Sequence, residues 1–377
     1  MQSAGTSPSG ANQQPWKFAL VKDPQVKKAI RNAAEKQEKS SEEKDYIEYA
    51  PYLITVFREN YGLEQDENGQ TKKVRHYYAL ESTAISAGFL LSALQHVGLD
   101  SIIHTPFKEL SVILDRPKNE SPIALFAVGY GKETDTAQQA EGKPLSELVF
   151  GDIDVNSEEK TTPSSEAKII NTASNYYETI RRRRNIRDFS TEDIDESLLV
   201  KALDAAVTTP SCAGSQPYRF AVIKDHAMKK IIREQAETEE KKLYEERISD
   251  EWREALAPLG TNWMKPHLTD APYLIIASKV DGTEADHESA QGVKGAYDKH
   301  QAMTSAGMAV GVLTSALHFA GVCTLTHTPS PMAFLRDLLN RPKNEMPIVV
   351  LPVGYPTPDC QVPDITKKPL DDILIKY

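Results

Sequence analysis

The sequence predicts an α+β protein built from two copies of one domain, and three observations carry that prediction. The first is a long-period repeat. SPSGANQQPWKFALVKD (Ser7–Asp23) matches TPSCAGSQPYRFAVIKD (Thr209–Asp225) at an offset of 202, and APYLITVF from Ala50 matches APYLIIAS from Ala271 at 221. HTP at His104 matches HTP at His327 at 223, and RPKNESPIALFAVGY from Arg116 matches RPKNEMPIVVLPVGY from Arg341 at 225. GKPLSEL from Gly142 matches KKPLDDI from Lys367 at that same offset. The second observation is that each copy runs through the same order of apolar strand-like and amphipathic helix-like segments. The third is length: 377 residues suit two domains of ordinary size, and a period of half the chain is far too long for a solenoid.

Taken in order, WKFALVKD and YRFAVIKD read as short strands. DPQVKKAIRNAAEKQEKSSEEK and DHAMKKIIREQAETEEKKLYEER read as amphipathic helices opened by an aspartate cap. APYLITVF and APYLIIAS are apolar runs of the buried-strand kind. Residues 76–97 and 297–320 read as long helices rich in Ala, Ser and Leu that stop at Gly98 and Gly321. Their small residues, among them Ala87, Gly88, Ala306, Gly307 and Gly311, suit close helix packing. SPIALFAVGY and MPIVVLPVGY are further buried strands. SEEKTTPSSEA (residues 157–167) is polar and fits an interdomain linker. The expected division is residues 1–150, a linker over 151–172, and residues 173–377. Such a fusion is expected to keep the contact of an ancestral symmetric dimer as a pseudo-dimer within one chain.

Bulk composition excludes several classes. The formal charge is −10, from 44 basic and 54 acidic residues, which argues against nonspecific nucleic-acid binding. Cys212, Cys323 and Cys360 are widely spaced and odd in number, with no zinc-type spacing, so no disulfide framework or structural metal is expected. The start, MQSAGTSPSGANQQPW, has neither the charge nor the apolar core of a signal peptide, and no apolar run reaches a membrane-spanning length. The resulting expectation is a cytoplasmic protein. No GxGxxG follows a strand and no P-loop occurs, so no dedicated dinucleotide domain is indicated.

One stretch breaks the repeat. YETIRRRRNIRDFS (Tyr177–Ser190) packs Arg181, Arg182, Arg183, Arg184 and Arg187 into seven positions of an acidic chain, and the first copy has no counterpart to it. A concentrated cationic spot asks for a local anion, and guanidinium forks suit phosphate. The second copy also carries 19 extra residues between its first helix and APYLI, the step from offset 202 to 221. Within that region Glu240 and Tyr244 stand four apart, on one helix face, and Lys265 follows in TNWMK. A carboxylate and an ammonium so placed suit a zwitterion; EEKKLYEER also fits an ordinary solvated helix face.

The residues RRRRNIRDF, TTPSCAGSQPYRFAVIKD, the VGYP strand end and the terminal KKPLDDI resemble the FMN-dependent nitroreductase superfamily. AGTSPSGANQQPW, NWMK and VPDITKKPLDDI are similar to its iodotyrosine deiodinase branch. Together the two copies cover nearly the whole chain. The resemblance implies two three-layer α/β/α sandwich domains that pair through their long helices and hold FMN between them. It places the FMN phosphate on Arg183, Arg184 and Arg187, with Asn185 as the short polar residue of that motif and Lys367 as a further basic contact. It brings the loops Pro8-Ser9-Gly10-Ala11 and Pro210-Ser211-Cys212-Ala213 to the flavin, with the amides of Ala11 and Ala213 at a substrate phenolate. Cys212 stands where glycine is usual. The turn Thr326-His327-Thr328 would lie on the flavin, Thr328 donating to N5, and Glu240, Tyr244 and Lys265 would grip the amino-acid end of the substrate.

The expectation is therefore an FMN-dependent oxidoreductase acting on a small aromatic substrate, most sharply by reductive dehalogenation of a halotyrosine, with NAD(P)H as electron donor. The second copy is expected to supply Arg183, Arg184, Arg187, Thr328 and Lys367, and the first copy residues Ser9 to Ala11. A generalist nitro or quinone reductase and a catalytically silent flavin-binding protein are the alternatives.

Overall fold

The computed structural model describes residues 1–38, 44–65, 68–131, 142–155, 169–211, 214–282 and 299–377. Among these, strands run in chain order as β1 (Trp16–Val21), β2 (Tyr52–Glu59), β3 (Tyr61–Gln65), β4 (Thr71–Arg75), β5 (Asp100–His104) and β6 (Glu120–Gly129), then β7 (Val149–Gly151), β8 (Tyr218–Ile223), β9 (Tyr273–Val280), β10 (Cys323–Thr324), β11 (Glu345–Gly354) and β12 (Leu374–Lys376). The described chain falls into two compact units. Unit 1 holds residues 1–131, 169–178 and 367–377, and unit 2 holds 142–155 and 179–366.

Unit 1 is built on a five-stranded sheet of order β12-β1-β2-β6-β5. β1, β2, β6 and β5 pair antiparallel, and β12 joins β1 in parallel through Phe18↔Leu374 and Ala19↔Ile375. One face takes the Pro24–Glu38 helix: Ile30 and Ala34 pack with Ala19, Val21, Leu53, Phe57, Leu125 and Ala127. Asp23 accepts the amides of Gln25 and Val26 at this helix's start, as its spacing predicts. The Ala79–His96 helix packs against β1, β2 and β5 and ends at Gly98 with φ +71°.

Unit 2 repeats the plan. Its sheet has the order β10-β11-β9-β8-β7, antiparallel except for β7, which joins β8 in parallel through Val149↔Phe220. The His226–Lys242 helix, capped by Asp225 accepting from Met228 N at 2.7 Å, packs Ile232 and Ala236 on Ala221, Leu274, Ile276 and Val350. The Lys299–Phe319 helix runs against the Glu196–Val207 helix and β9, and stops before Gly321, φ +80°. It alone among the described helices is long and apolar enough to cross a membrane by composition, against the expectation of no such run, but most of its apolar length is buried. Both units thus have helical layers about a central sheet, the predicted α+β class.

The expected domain limits need correction. The two terminal strands are exchanged: β7 follows the first copy in sequence yet edges the second copy's sheet, and β12 follows the second copy yet edges the first copy's sheet. The physical reason lies in matched contacts beside each strand. Lys143 N donates to Gln216 Oε1 at 2.6 Å and its Nζ to Ser215 O; Lys368 N donates to Gln14 Oε1 at 2.8 Å and its Nζ to Gln14 O. Hence 142–155 belongs with the second copy and 367–377 with the first. The proposed linker 157–167 lies outside the described residues, and 169–172 already open the helix Ile169–Ile180.

Candidate functional site

The arginine segment leaves the Ile169–Ile180 helix as a turn and becomes a strap along the edge of the unit 2 sheet. Asn185 bridges Thr324 and Phe189 bridges Pro356, and Ile186 N donates to Thr324 O at 3.2 Å. Ile186 and Phe189 bury themselves with Ala271 and Leu325, worth roughly 1.5–3 kcal/mol for each large apolar side chain. That anchoring fixes the arginines between. Arg183 is buried, and burial first, then the neighbouring Arg184 charge, pulls its guanidinium down to about 10. Burial also pulls Arg187 below its ordinary value. Arg184 donates to the carbonyls of Arg181 and Arg183 at 2.8 and 3.0 Å. Among the described residues, no carboxylate forms an ion pair with Arg184 or Arg187. Asn185 Oδ1 accepts from Arg183 Nη1 at 3.2 Å and lies 3.5 Å from Thr326 N, so it ties the strap to the Thr326–Thr328 turn.

That turn carries a buried hydroxyl, Thr326 Oγ1, and a buried imidazole nitrogen, His327 Nε2, that find no hydrogen-bond partner. Thr328 is half-buried. His327 meets His267 edge to face, ring centres 5.2 Å apart. His267 Nε2 is likewise buried without a partner. Burial, then the charges of Lys265, Arg187 and Arg233, push the His267 imidazole down to about 3; burial, then His267, Lys265 and Arg187, push His327 well below its ordinary value. Both rings are neutral at physiological pH.

Glu240 and Lys265 form a buried ion pair, Nζ to Oε2 at 2.8 Å, and Glu240 Oε1 stands 4.0 Å from His327 Nε2. Burial raises the Glu240 carboxyl, and Lys265 opposes that shift through its charge and hydrogen bond. Lys265 Nζ also lies over the Tyr244 ring, 5.8 Å from its centre. The helical spacing of Glu240 and Tyr244 is modified: the helix ends at Lys242 and continues as a π turn, Leu243–Arg247, so Glu240 is buried and Tyr244 half-buried. Burial raises the Tyr244 phenol, and the Arg187 charge partly offsets it. Arg187 is thus within electrostatic reach of Tyr244, His267 and His327. Strap, turn and the 19-residue insertion meet in one unit.

The remaining sequence-predicted residues lie elsewhere. Pro210 is exposed, and Ser211 Oγ accepts from Gln216 N at 2.8 Å; Ala213 and Cys212 fall outside the described residues. In unit 1, Ser9 Oγ accepts from Gln14 N at 3.0 Å in the same way, Pro8 is buried, and Ala11 adopts a left-handed φ of 47°. Gly10 is required there: a Cβ would stand 2.5 Å from Tyr77 O. Lys367, expected among the second copy's contributions, sits in unit 1, its Nζ donating to Ser7 O at 2.7 Å and to Asn12 Oδ1 at 3.3 Å. The exchanged tail carries it there, and it braces the turn that holds Ser9 to Ala11. Sequence reasoning missed His267, although aligning DYIEYAP with PHLTDAP sets it opposite Tyr46, just as His327 stands opposite His104.

Comparison with known proteins matches this architecture. The nitroreductase family model covers residues 1–130 and 180–355, both copies. The chain belongs to the nitroreductase family. Membership makes it an oxidoreductase. Curated relatives include the iodotyrosine deiodinase of Haliscomenobacter hydrossis, 38 % identical over 216 residues, 56 % of this chain and 92 % of that protein. Others are the Hydra vulgaris iodotyrosine deiodinase, 38 % identical over 56 % of this chain and 76 % of that protein, and human iodotyrosine deiodinase 1, 36 % identical over 56 % and 71 %. A crystal structure of oxidized iodotyrosine deiodinase bound to FMN and 3-iodo-L-tyrosine aligns at TM-score 0.44 and 28 % identity, over 52 % of this chain and 96 % of that one.

Proposed function

We propose that the chain is an FMN-dependent oxidoreductase that takes a halogenated tyrosine and removes the halogen reductively. One observation carries the reading. The unpaired cations Arg184 and Arg187 share a unit with the buried Glu240–Lys265 pair, and Arg187 senses Tyr244 directly. Arg184 and Arg187 fit the FMN phosphate, because they are held in place with no carboxylate to neutralise them. Thr326 Oγ1 and the Thr328 hydroxyl are further donors on the same turn. When bound, FMN supplies the reducing equivalents and NAD(P)H restores them. The net change balances: the aryl halide, NAD(P)H and one proton give the arene, halide, a proton and NAD(P)⁺.

The chain's own residues select the substrate. Glu240 and Lys265 satisfy one another, so a ligand must part a buried ion pair. A zwitterion gives each an opposite charge, the ammonium to Glu240 and the carboxylate to Lys265. A neutral phenol or nitroaromatic leaves the pair closed. A ligand with one charge strands the other partner, at a cost of about 3–5 kcal/mol. Low local polarity below the lid, set by neutral His267 and His327, strengthens whichever pairing forms. The Ala11 and Ala213 amides are assigned to the phenolate on resemblance.

The two copies are taken as fused equivalents of two family subunits, with one arginine strap and therefore one FMN per chain. The test is purification with FMN, measurement of flavin per chain, and anaerobic assay of halide release from 3-iodo- and 3-bromotyrosine against reduction of a nitrofuran. Expected are one flavin, tight diiodotyrosine binding and halide release. Nitrofuran turnover without iodotyrosine binding would identify a generalist reductase, and a protein that takes up no flavin would be a silent relative. Two flavins per chain would sink the single-strap assignment.

A further inference from the structure

The first copy leaves open a sheet edge that the second copy closes with its own chain. In unit 2 the strap Asn185–Phe189 lies along β10 and the end of β11, and Ser190 N donates to Tyr355 O at 2.8 Å. Ile186 and Phe189, three residues apart, supply its buried side chains. The repeat gives unit 1 a counterpart for each receiving residue: Ala50 for Ala271, Ser101 for Thr324, Ile102 for Leu325, Gly129 for Gly354 and Tyr130 for Tyr355. It gives none for the strap. β5 is the end strand of its sheet, with nothing described pairing on its outer side.

Exposure records the difference. Leu325 is 3 % exposed and Ile102 52 %; Tyr355 is half-buried and Tyr130 is 68 % exposed. The aromatic seat is also kept and vacant. At Gly354 an added Cβ would meet Phe189 Cδ1 at 2.9 Å as well as Pro272, whereas at Gly129 it would meet Pro51 and nothing else within 4 Å. An unpaired edge strand with exposed apolar side chains is a template for strand addition, with main-chain hydrogen bonds giving affinity and side-chain seats giving specificity. Charge adds a preference. Asp100 stands where unit 2 has Cys323, a residue within the field of Arg183, so the open edge presents an exposed carboxylate where the strap presents a cation.

We infer that the β5 edge of unit 1 is a docking site for an extended basic peptide strand carrying an aliphatic and an aromatic side chain three residues apart, the chemistry of residues 183–189. The probe is a fluorescein-labelled peptide RRRRNIRDFS, the chain's own residues 181–190, titrated with the full chain by fluorescence anisotropy. Saturable binding is expected. Replacing the peptide's Ile and Phe by Ser, which keeps its charge, is expected to weaken it at least tenfold. Ile102→Thr should do the same, and Ile102→Leu should leave binding unchanged; circular dichroism checks that both variants fold. The inference is overturned if the peptide does not saturate, or if the Ser peptide binds as well as its parent, which would mean charge alone. It is also overturned if Ile102→Thr has no effect, placing the peptide elsewhere. Concentration-dependent self-association that Ile102→Thr abolishes would overturn it too, because a second copy would then own the edge.

Discussion

Unit 1 sets Tyr46 against His104 where unit 2 sets His267 against His327. The Tyr46 hydroxyl reaches His104 Nδ1 at 3.1 Å, while both imidazole Nε2 atoms of the second pair stay buried without a partner. The basic residues differ in the same sense. Arg31 of unit 1 is held by Glu35, Asp45 and Glu48 at 2.7–3.0 Å, whereas Arg184 and Arg187 of unit 2 have no ion pair among the described residues. One copy satisfies its polar groups internally and the other keeps several unsatisfied. Buried polar groups cost stability unless paired, so their persistence in one copy of a duplicated fold marks that copy as the one with a ligand to satisfy them.

The sharpest way to break this comparison is to remove the cations from each copy. Charge-assisted hydrogen bonds contribute about 1.5–3 kcal/mol each. The double substitution Arg184→Ala with Arg187→Ala should therefore weaken FMN by about 3–6 kcal/mol, a factor of roughly 10²–10⁴. Arg31→Ala should leave flavin content unchanged. Flavin-to-protein ratio and calorimetric titration of FMN into the stripped protein check both. Full flavin in the double variant would mean that the strap is structural only.

The next test concerns the ion pair. Lys265→Met leaves Glu240 buried and uncompensated, and about 3–5 kcal/mol of stability should be lost. Its counterpart change in the first copy, Lys44→Met, should shift stability by no more than about 0.5 kcal/mol. Glu240→Gln combined with Lys265→Met should recover most of the loss while abolishing halotyrosine binding. Urea unfolding and ligand titration separate the two effects.

The fold was legible because it rests on local patterns. Aspartate caps, apolar runs and helix-ending glycines occur twice, and each recurrence supports the other. The strap was legible for a different reason: it is absent from the repeat. What escaped depends on contacts far apart in sequence. The exchange of β7 and β12 follows from pairings such as Phe18↔Leu374, which no local pattern encodes. The β3–β4 hairpin of unit 1 did carry a signal, Asn68-Gly69 between strand-like runs, with Gly69 at φ +73°. His267 was hidden because its meaning comes from His327, sixty residues away in sequence and 5.2 Å away in space.

Acid should sharpen the comparison further. His267 in the folded protein lies near pH 3 against an ordinary 6.5. The unfolded chain binds its proton first, so this stability is complete above about pH 6.5 and is lost as pH falls toward 3. At pH 5 the loss is about 2 kcal/mol. His267→Tyr installs the residue that unit 1 uses against its own histidine, and should remove that loss. The measurement is the change in unfolding free energy between pH 7.5 and 5, wild type against variant. An unchanged difference would mean that His267 is protonated without penalty and that the neutral floor beneath Glu240 does not exist.

The smallest effect tests the exchanged tail. Lys367 and Gly142 are repeat counterparts, yet only Lys367 reaches across to a turn, donating to Ser7 O and Asn12 Oδ1. Lys367→Gly gives the tail of unit 1 the residue found in the tail of unit 2. Two hydrogen bonds disappear, one to a buried carbonyl, which predicts a loss of about 1–2 kcal/mol. Because the turn is already braced by Ser9 accepting from Gln14 N, the loss should be local, and amide exchange should quicken at residues 9–14 before the rest of unit 1. The reverse change, Gly142→Lys, should cost little. A Cβ there would meet only the Gln216 side chain, at 3.4–3.8 Å, an ordinary contact. If Lys367→Gly leaves exchange at the turn untouched, the brace is not what holds Ser9 to Ala11, and the left-handed backbone at Ala11 must be imposed by the close approach of Gly10 to Tyr77 alone.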